Sequence, residues 1–162
     1  MTKQHRALDL ADLVEIGKGL AHPARLRMLA MLETGELCVC QMTAVLALAP
    51  STVSQHLSVL ARGGLVAERK QGKLVFYRLR EGDVAARLLP PLLGLFSSDP
   101  TAKSDRAVVA RLRRVPVATL CAAELDLAAV GVRKAGRRKA AVAAARDRAP
   151  GEVKPTNAGA LR

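Results

Sequence analysis

The sequence has no tryptophan, one tyrosine and two phenylalanines among its 162 residues. Proteins that hold RNA or single strands stack bases on aromatic side chains. Three rings (Phe76, Tyr77 and Phe96) therefore favour duplex DNA over those partners. Three cysteines, two of them one residue apart, are odd in number and wrongly spaced for a disulfide framework. Reduced thiols in a cytoplasmic protein fit better. The start, Met1-Thr2-Lys3-Gln4-His5, carries no apolar signal-peptide core. Acidic residues are scarce, 14 against 26 Lys and Arg, and the net charge of +12 points to a polyanionic partner. Residues 133–162 contribute +7 of that charge and residues 1–132 the remaining +5.

Charge is also missing from Leu37–Ala61, a stretch long enough to span a bilayer. It contains Gln41, Thr43, Pro50, Ser51, Thr52, Ser54, Gln55, His56 and Ser58, so it reads as two short uncharged helices and not as a membrane span. Thiol-enzyme features are absent too. There is no CxxC, no Gly-rich phosphate loop ahead of a helix, and no His or Arg beside the cysteines to lower their pKa. The chain is not expected to be an enzyme.

Apolar spacing predicts a helix over residues 7–20, ending near Gly17 or Gly19. A second opens at His22-Pro23, with Leu26, Leu29 and Leu32 inward and Gly35 as its stop. A third covers about residues 38–47. A fourth runs from Pro50 to Arg62, where Val53, Leu57 and Leu60 share a face and Ser51, Gln55, Ser58 and Arg62 lie opposite. The third and fourth form a helix-turn-helix. Val66–Lys70 and Leu74–Leu79, around Gln71-Gly72-Lys73, read as a β-hairpin whose tip carries Arg69, Lys70 and Lys73. A helix follows over residues 81–96, interrupted at Pro90-Pro91. Its apolar surface exceeds what a small domain can bury, so a dimer interface shared with the first helix is expected.

The expected fold is α+β, mainly α: a winged helix-turn-helix (α-α-α-α-β-β-α) with a helical and disordered C-terminal extension. Residues 1–97 form the DNA-binding and dimerisation domain. Ser97-Ser98-Asp99-Pro100 marks a boundary, residues 98–132 form a helical extension carrying Cys121, and residues 133–162 form a basic, disordered tail.

Cys38 and Cys40 are a soft-ligand pair, suited to arsenic(III), antimony(III), cadmium, copper(I) or zinc. In a regular helix they would point about 200° apart, so an ion gripping both would have to unwind the first turn. Cys121 is the one further thiol that could complete a site. His56 is expected to pack at the helix edge, and His22 and His5 to cap or face solvent.

These residues resemble the ArsR/SmtB family of metalloregulatory repressors, arsenic-sensing type, over roughly residues 7–96. The resemblance rests on His22-Pro23-Ala24-Arg25-Leu26-Arg27, on Glu36-Leu37-Cys38-Val39-Cys40, on Thr52–Leu57 and on Gly72–Tyr77. It implies a cytoplasmic homodimer that blocks transcription on double-stranded operator DNA and lets go when an inducer ion binds. Ser54, Gln55 and Ser58 would then face bases, with Ser51 and Thr52 beside them, and Arg62, Arg69, Lys70 and Lys73 would meet phosphates. The metal ligands would be Cys38 and Cys40 and the inducer arsenic(III) or antimony(III), while the third ligand stays open between Cys121, a solvent hydroxide and an external thiol. Three departures stand out. Gln41 and Thr43 occupy positions where the family carries an acidic residue and a third cysteine. Ala49 replaces the Ser that caps the recognition helix. The 81–96 helix offers only Glu81 and Asp83 towards a zinc site. Alternatives are a thiol redox sensor closing a disulfide at Cys38 or Cys40, a cadmium- or zinc-responsive repressor of the same fold, and, less favoured, an arsenate reductase-like thiol enzyme.

Overall fold

In a computed structural model the described residues are 8–133. The expectation of a disordered basic tail falls, apart from Arg133, outside them. Seven helices and three strands follow in the order α1 (Leu10–Leu20), α2 (Pro23–Leu32), β1 (Leu37–Cys38), α3 (Val39–Leu46), α4 (Pro50–Arg62), β2 (Val66–Gln71), β3 (Leu74–Leu79), α5 (Asp83–Leu95), α6 (Pro100–Leu112) and α7 (Val117–Ala122). This is a winged helix-turn-helix, mainly helical, with two further helices behind it.

Local chemistry accounts for most boundaries. Asp9 and Asp12 close a capping box on α1, which runs through both Gly17 and Gly19 to Leu20. At Gly19 a Cβ would stand 2.8 Å from a Leu65 methyl, so any larger residue would have to push that side chain aside. His22 caps α2 through its Nδ1, which accepts the Ala24 N–H at 3.1 Å. Ala49 gives α4 no side-chain cap, and Pro50 supplies the pre-set first turn. α3 and α4 turn by 114° at their break. Val53, Leu57 and Leu60 are fully buried under α4, the face that the sequence spacing assigned to the core. Among the described residues no single helix is long and apolar enough to cross a membrane.

The sheet has three strands where the sequence suggested a two-stranded hairpin. Leu37 and Cys38 pair antiparallel with Tyr77 and Phe76, giving the order β1-β3-β2. Two residues are too short a run for alternation to register. The hairpin closes at Gln71 and Leu74, so its loop is only Gly72-Lys73, with Gly72 at φ +59°. α5 likewise continues through Pro90 and Pro91 to Leu95.

Residues 98–133 do not trail away. Asp99 caps α6, which packs on α2 and α3, while α7 packs on α3. Ala102, Val108, Val109, Leu112 and Leu120 join the same buried cluster as Met28, Leu29 and Met42. Arg27 on α2 forks onto Asp105 of α6 through Nε–Oδ2 at 2.6 Å and Nη2–Oδ1 at 2.9 Å. Arg106 reaches Glu33 at 2.9 Å, and Arg113 reaches Thr34 at 3.2 Å. Asp105 is only 5% exposed. Asp105→Asn therefore leaves a poorly matched Arg27 in a mostly buried setting and should cost about 2–3 kcal/mol of unfolding free energy in urea. A change below about 0.5 kcal/mol would place the hold of α6 elsewhere.

Candidate functional site

Cys38 is both the last residue of β1 and the N-cap of α3, with φ −71° and ψ 148°. Its extended backbone corrects the expectation that Cys38 and Cys40 oppose each other on one helix, because only Cys40 is helical. No unwinding is needed to bring the two thiols to one side. The Gln41 carboxamide accepts the Cys38 N–H at 2.9 Å, which fixes the junction. Gln41 is 6% exposed, so this substitution for an acidic residue is absorbed by a local cap. Thr43, one turn beyond Cys40, is buried with its Oγ1 unpartnered.

The C-terminal helices bring the third thiol in. Leu120 is buried in the common core, and its neighbour Cys121 stands at the surface. Cys121 Sγ lies 3.2 Å from Cys40 Sγ, across 81 residues of sequence and within one chain. Burial pushes the Cys40 thiol well up from its ordinary value, and hydrogen bonds with Cys121 and then Cys38 add to the effect. Cys40 is thus the middle member of a row, buried Cys38 on one side and exposed Cys121 on the other. Among the described residues no three ligand groups are already gathered at metal-binding spacing. The row offers three soft donors that close on one centre only if its ends move inward.

The DNA-facing candidates divide into two groups. Ser51, Ser54, Gln55 and Ser58 are exposed on α4 and Thr52 is half-buried. Ser58 Oγ donates to the Ser54 carbonyl at 3.0 Å. Arg62 is exposed, 3.9 Å from Glu15. Lys73 is exposed at the hairpin tip, and Lys70 is exposed 3.6 Å from Glu68. Arg69 differs. Its guanidinium donates to both Glu36 oxygens, at 2.9 and 2.6 Å, and to Gln71 at 2.9 Å, and it lies 4.8 Å over the Phe76 ring. Arg69, expected on a phosphate, is exposed and at the same time paired to Glu36 within the chain. The Glu36–Arg69 fork was missed because strand β1, which brings the two together, was not legible.

His56 behaves as the sequence suggested. Its ring lies 4.4 Å from that of His22, and Nδ1 is 3.3 Å from Arg25 Nη1. Burial first, then the neighbouring His22 and Arg25, lower its pKa, so it stays neutral at physiological pH. Arg25 is held by the Lys18 and Gly19 carbonyls, which joins α1, α2 and α4. Tyr77 donates to Glu68 across the hairpin at 2.7 Å.

The family described as "Bacterial regulatory protein, arsR family" matches residues 22–68, which include Cys38, Cys40 and α4 and stop short of Cys121. The chain is 43% identical over 93 residues to the biofilm growth-associated repressor of Agrobacterium fabrum, covering 57% of this chain and 76% of the relative. It is 39% identical over 88 residues to the transcriptional activator HlyU of Vibrio cholerae, covering 54% and 82%. It is also 43% identical over 67 residues to the arsenical resistance operon repressor of Escherichia coli, covering 41% and 57%.

The raised Cys40 pKa has a measurable consequence. A thiol whose pKa is higher folded than unfolded stabilises the fold below its unfolded pKa, about 8.5, and loses that contribution as pH rises beyond it. The melting temperature of the reduced protein should therefore fall between about pH 8.5 and 9.5, below the region near pH 10 where unfolded Tyr77, pushed up to about 12 in the fold, adds a loss of its own. Cys40→Ala should flatten that slope; an unaltered slope in the variant would assign it to other groups.

Proposed function

Because the chain belongs to the ArsR/SmtB family of transcriptional repressors, and is not an enzyme, we propose that it releases operator DNA when a trivalent metalloid binds Cys38, Cys40 and Cys121. The observation that carries this reading is the 3.2 Å contact between Cys40 and Cys121. It supplies, from the C-terminal extension, the third sulfur that the sequence lacks beside the CxC pair. Arsenous acid would exchange three As–OH bonds for three As–S bonds, each thiol proton leaving with a hydroxide as water. The protein acts as a homodimer. Leu10 and Leu95, 77% and 84% exposed, with Leu13 and Val14, give α1 and α5 apolar side chains for a second copy to cover. Ser51, Thr52, Ser54, Gln55 and Ser58 would meet base edges, with Arg62, Lys70 and Lys73 on phosphates.

The test is DNA-binding anisotropy on the promoter region upstream of the gene, titrated with arsenite, antimonite, cadmium and zinc. Arsenite should weaken binding on the order of tenfold or more. Cys40→Ser should abolish the response, and Cys38→Ser and Cys121→Ser should each shift it to higher arsenite. Arsenite exchange liberates only water from neutral thiols, so its affinity should change little between pH 6.5 and 8. Divalent cadmium must displace the thiol protons into solvent, so its affinity should climb with pH. A response untouched in all three variants would end this reading.

The same contact favours a second reading, redox sensing, with the pair at Cys40 and Cys121 instead of Cys38 and Cys40. Peroxide would oxidise exposed Cys121 to a sulfenic acid with loss of water. The Cys40 sulfur would then displace the hydroxyl as a second water, closing a disulfide. On this reading peroxide alone releases DNA, dithiothreitol reverses it, and Cys40→Ser is insensitive. Retention of DNA by peroxide-treated wild type would exclude it.

A further inference from the structure

Cys38, Phe76 and Arg69 stand in one row across the three strands, since Cys38 pairs with Phe76 on β3 and Phe76 pairs with Arg69 on β2. The Arg69 side chain crosses the Phe76 ring and forks onto Glu36, two residues before Cys38. A closed belt therefore joins the thiol motif to the wing. Its backbone part is the sheet register, and its side-chain part is the fork.

We infer that Glu36 and Arg69 are positioning residues that hold the wing in its DNA-competent pose, and that ion capture by Cys38 loosens the fork. The inference rests on the thiol-sensor reading above. Cys38 is fully buried at one end of the thiol row, so drawing its sulfur around a shared centre must shift the β1–α3 junction. Glu36, two residues before Cys38 and directly ahead of β1, moves with it. A charge-assisted fork depends steeply on distance and angle, so a small displacement weakens it. The output of the switch is then the wing as well as α4.

A direct phosphate role for Arg69 predicts the opposite sign for one substitution. Glu36 is acidic and is repelled by the phosphate backbone. If it merely sequesters Arg69, Glu36→Gln frees a cation and raises operator affinity. If the fork positions the wing, E36Q lowers it.

The experiment is operator anisotropy with and without arsenite on full-length wild type, E36Q and R69K, paired with arsenite titration of the DNA-free proteins by thiolate-to-arsenic absorbance. For E36Q, ion-free operator affinity should fall roughly three- to five-fold while ion-loaded affinity stays put, which shrinks the induction ratio by that factor. Arsenite should bind free E36Q slightly more tightly, because the fork no longer opposes it. R69K keeps the charge, loses the fork and should shrink the ratio likewise. It also serves as the second variant should E36Q fold poorly. Unchanged or raised ion-free affinity in E36Q overturns the inference, as does an equal loss in both states. A wild type that arsenite does not release overturns the sensor reading and this inference together, whereas a responsive wild type with an unaltered E36Q ratio overturns the fork alone.

Discussion

The thiol row depends on the docking of α6 onto α2. The Arg27–Asp105 fork sits at that contact with Asp105 almost wholly buried, and Val108, Val109 and Leu112 close the apolar surface around it. From there the chain turns at Pro116 and sets α7 against α3. Only this docking places Cys121 against Cys40 across 81 residues. Without it the extension would offer an exposed thiol with nothing to join, and the CxC pair would be left with two donors.

On the proposed reading, Cys38 is the point of exchange between sensing and reading. The residue ends a strand, caps a helix and begins the thiol row. The helix leads through its 114° turn to α4, and the strand leads across Phe76 to Arg69. On that reading, displacement at Cys38 would pass through these packed elements to a distant surface.

Much of this was legible in the sequence because strong local signals carried it. Pro50 and the spacing of Val53, Leu57 and Leu60 set α4 and its buried face, and Gly72 set the hairpin turn. The thiol pair was visible, yet its geometry was misjudged, since helical periodicity treats Cys38 as helical when its backbone is extended. β1 escaped notice because two residues show no alternation, and with it went the third strand and the Glu36–Arg69 fork. Pro90 and Pro91 signalled a break that α5 does not make. Cys121 could be named as a candidate but not placed, because its approach depends on Arg27 meeting Asp105, a pairing with no local signature.

X-ray absorption at the arsenic edge, on reduced protein loaded with one equivalent of arsenite, tests the central claim most directly. The account predicts arsenic bound by three sulfurs in the wild type and by two sulfurs and an oxygen in Cys121→Ser. Three sulfurs surviving in Cys121→Ser, or only two in the wild type, would contradict it.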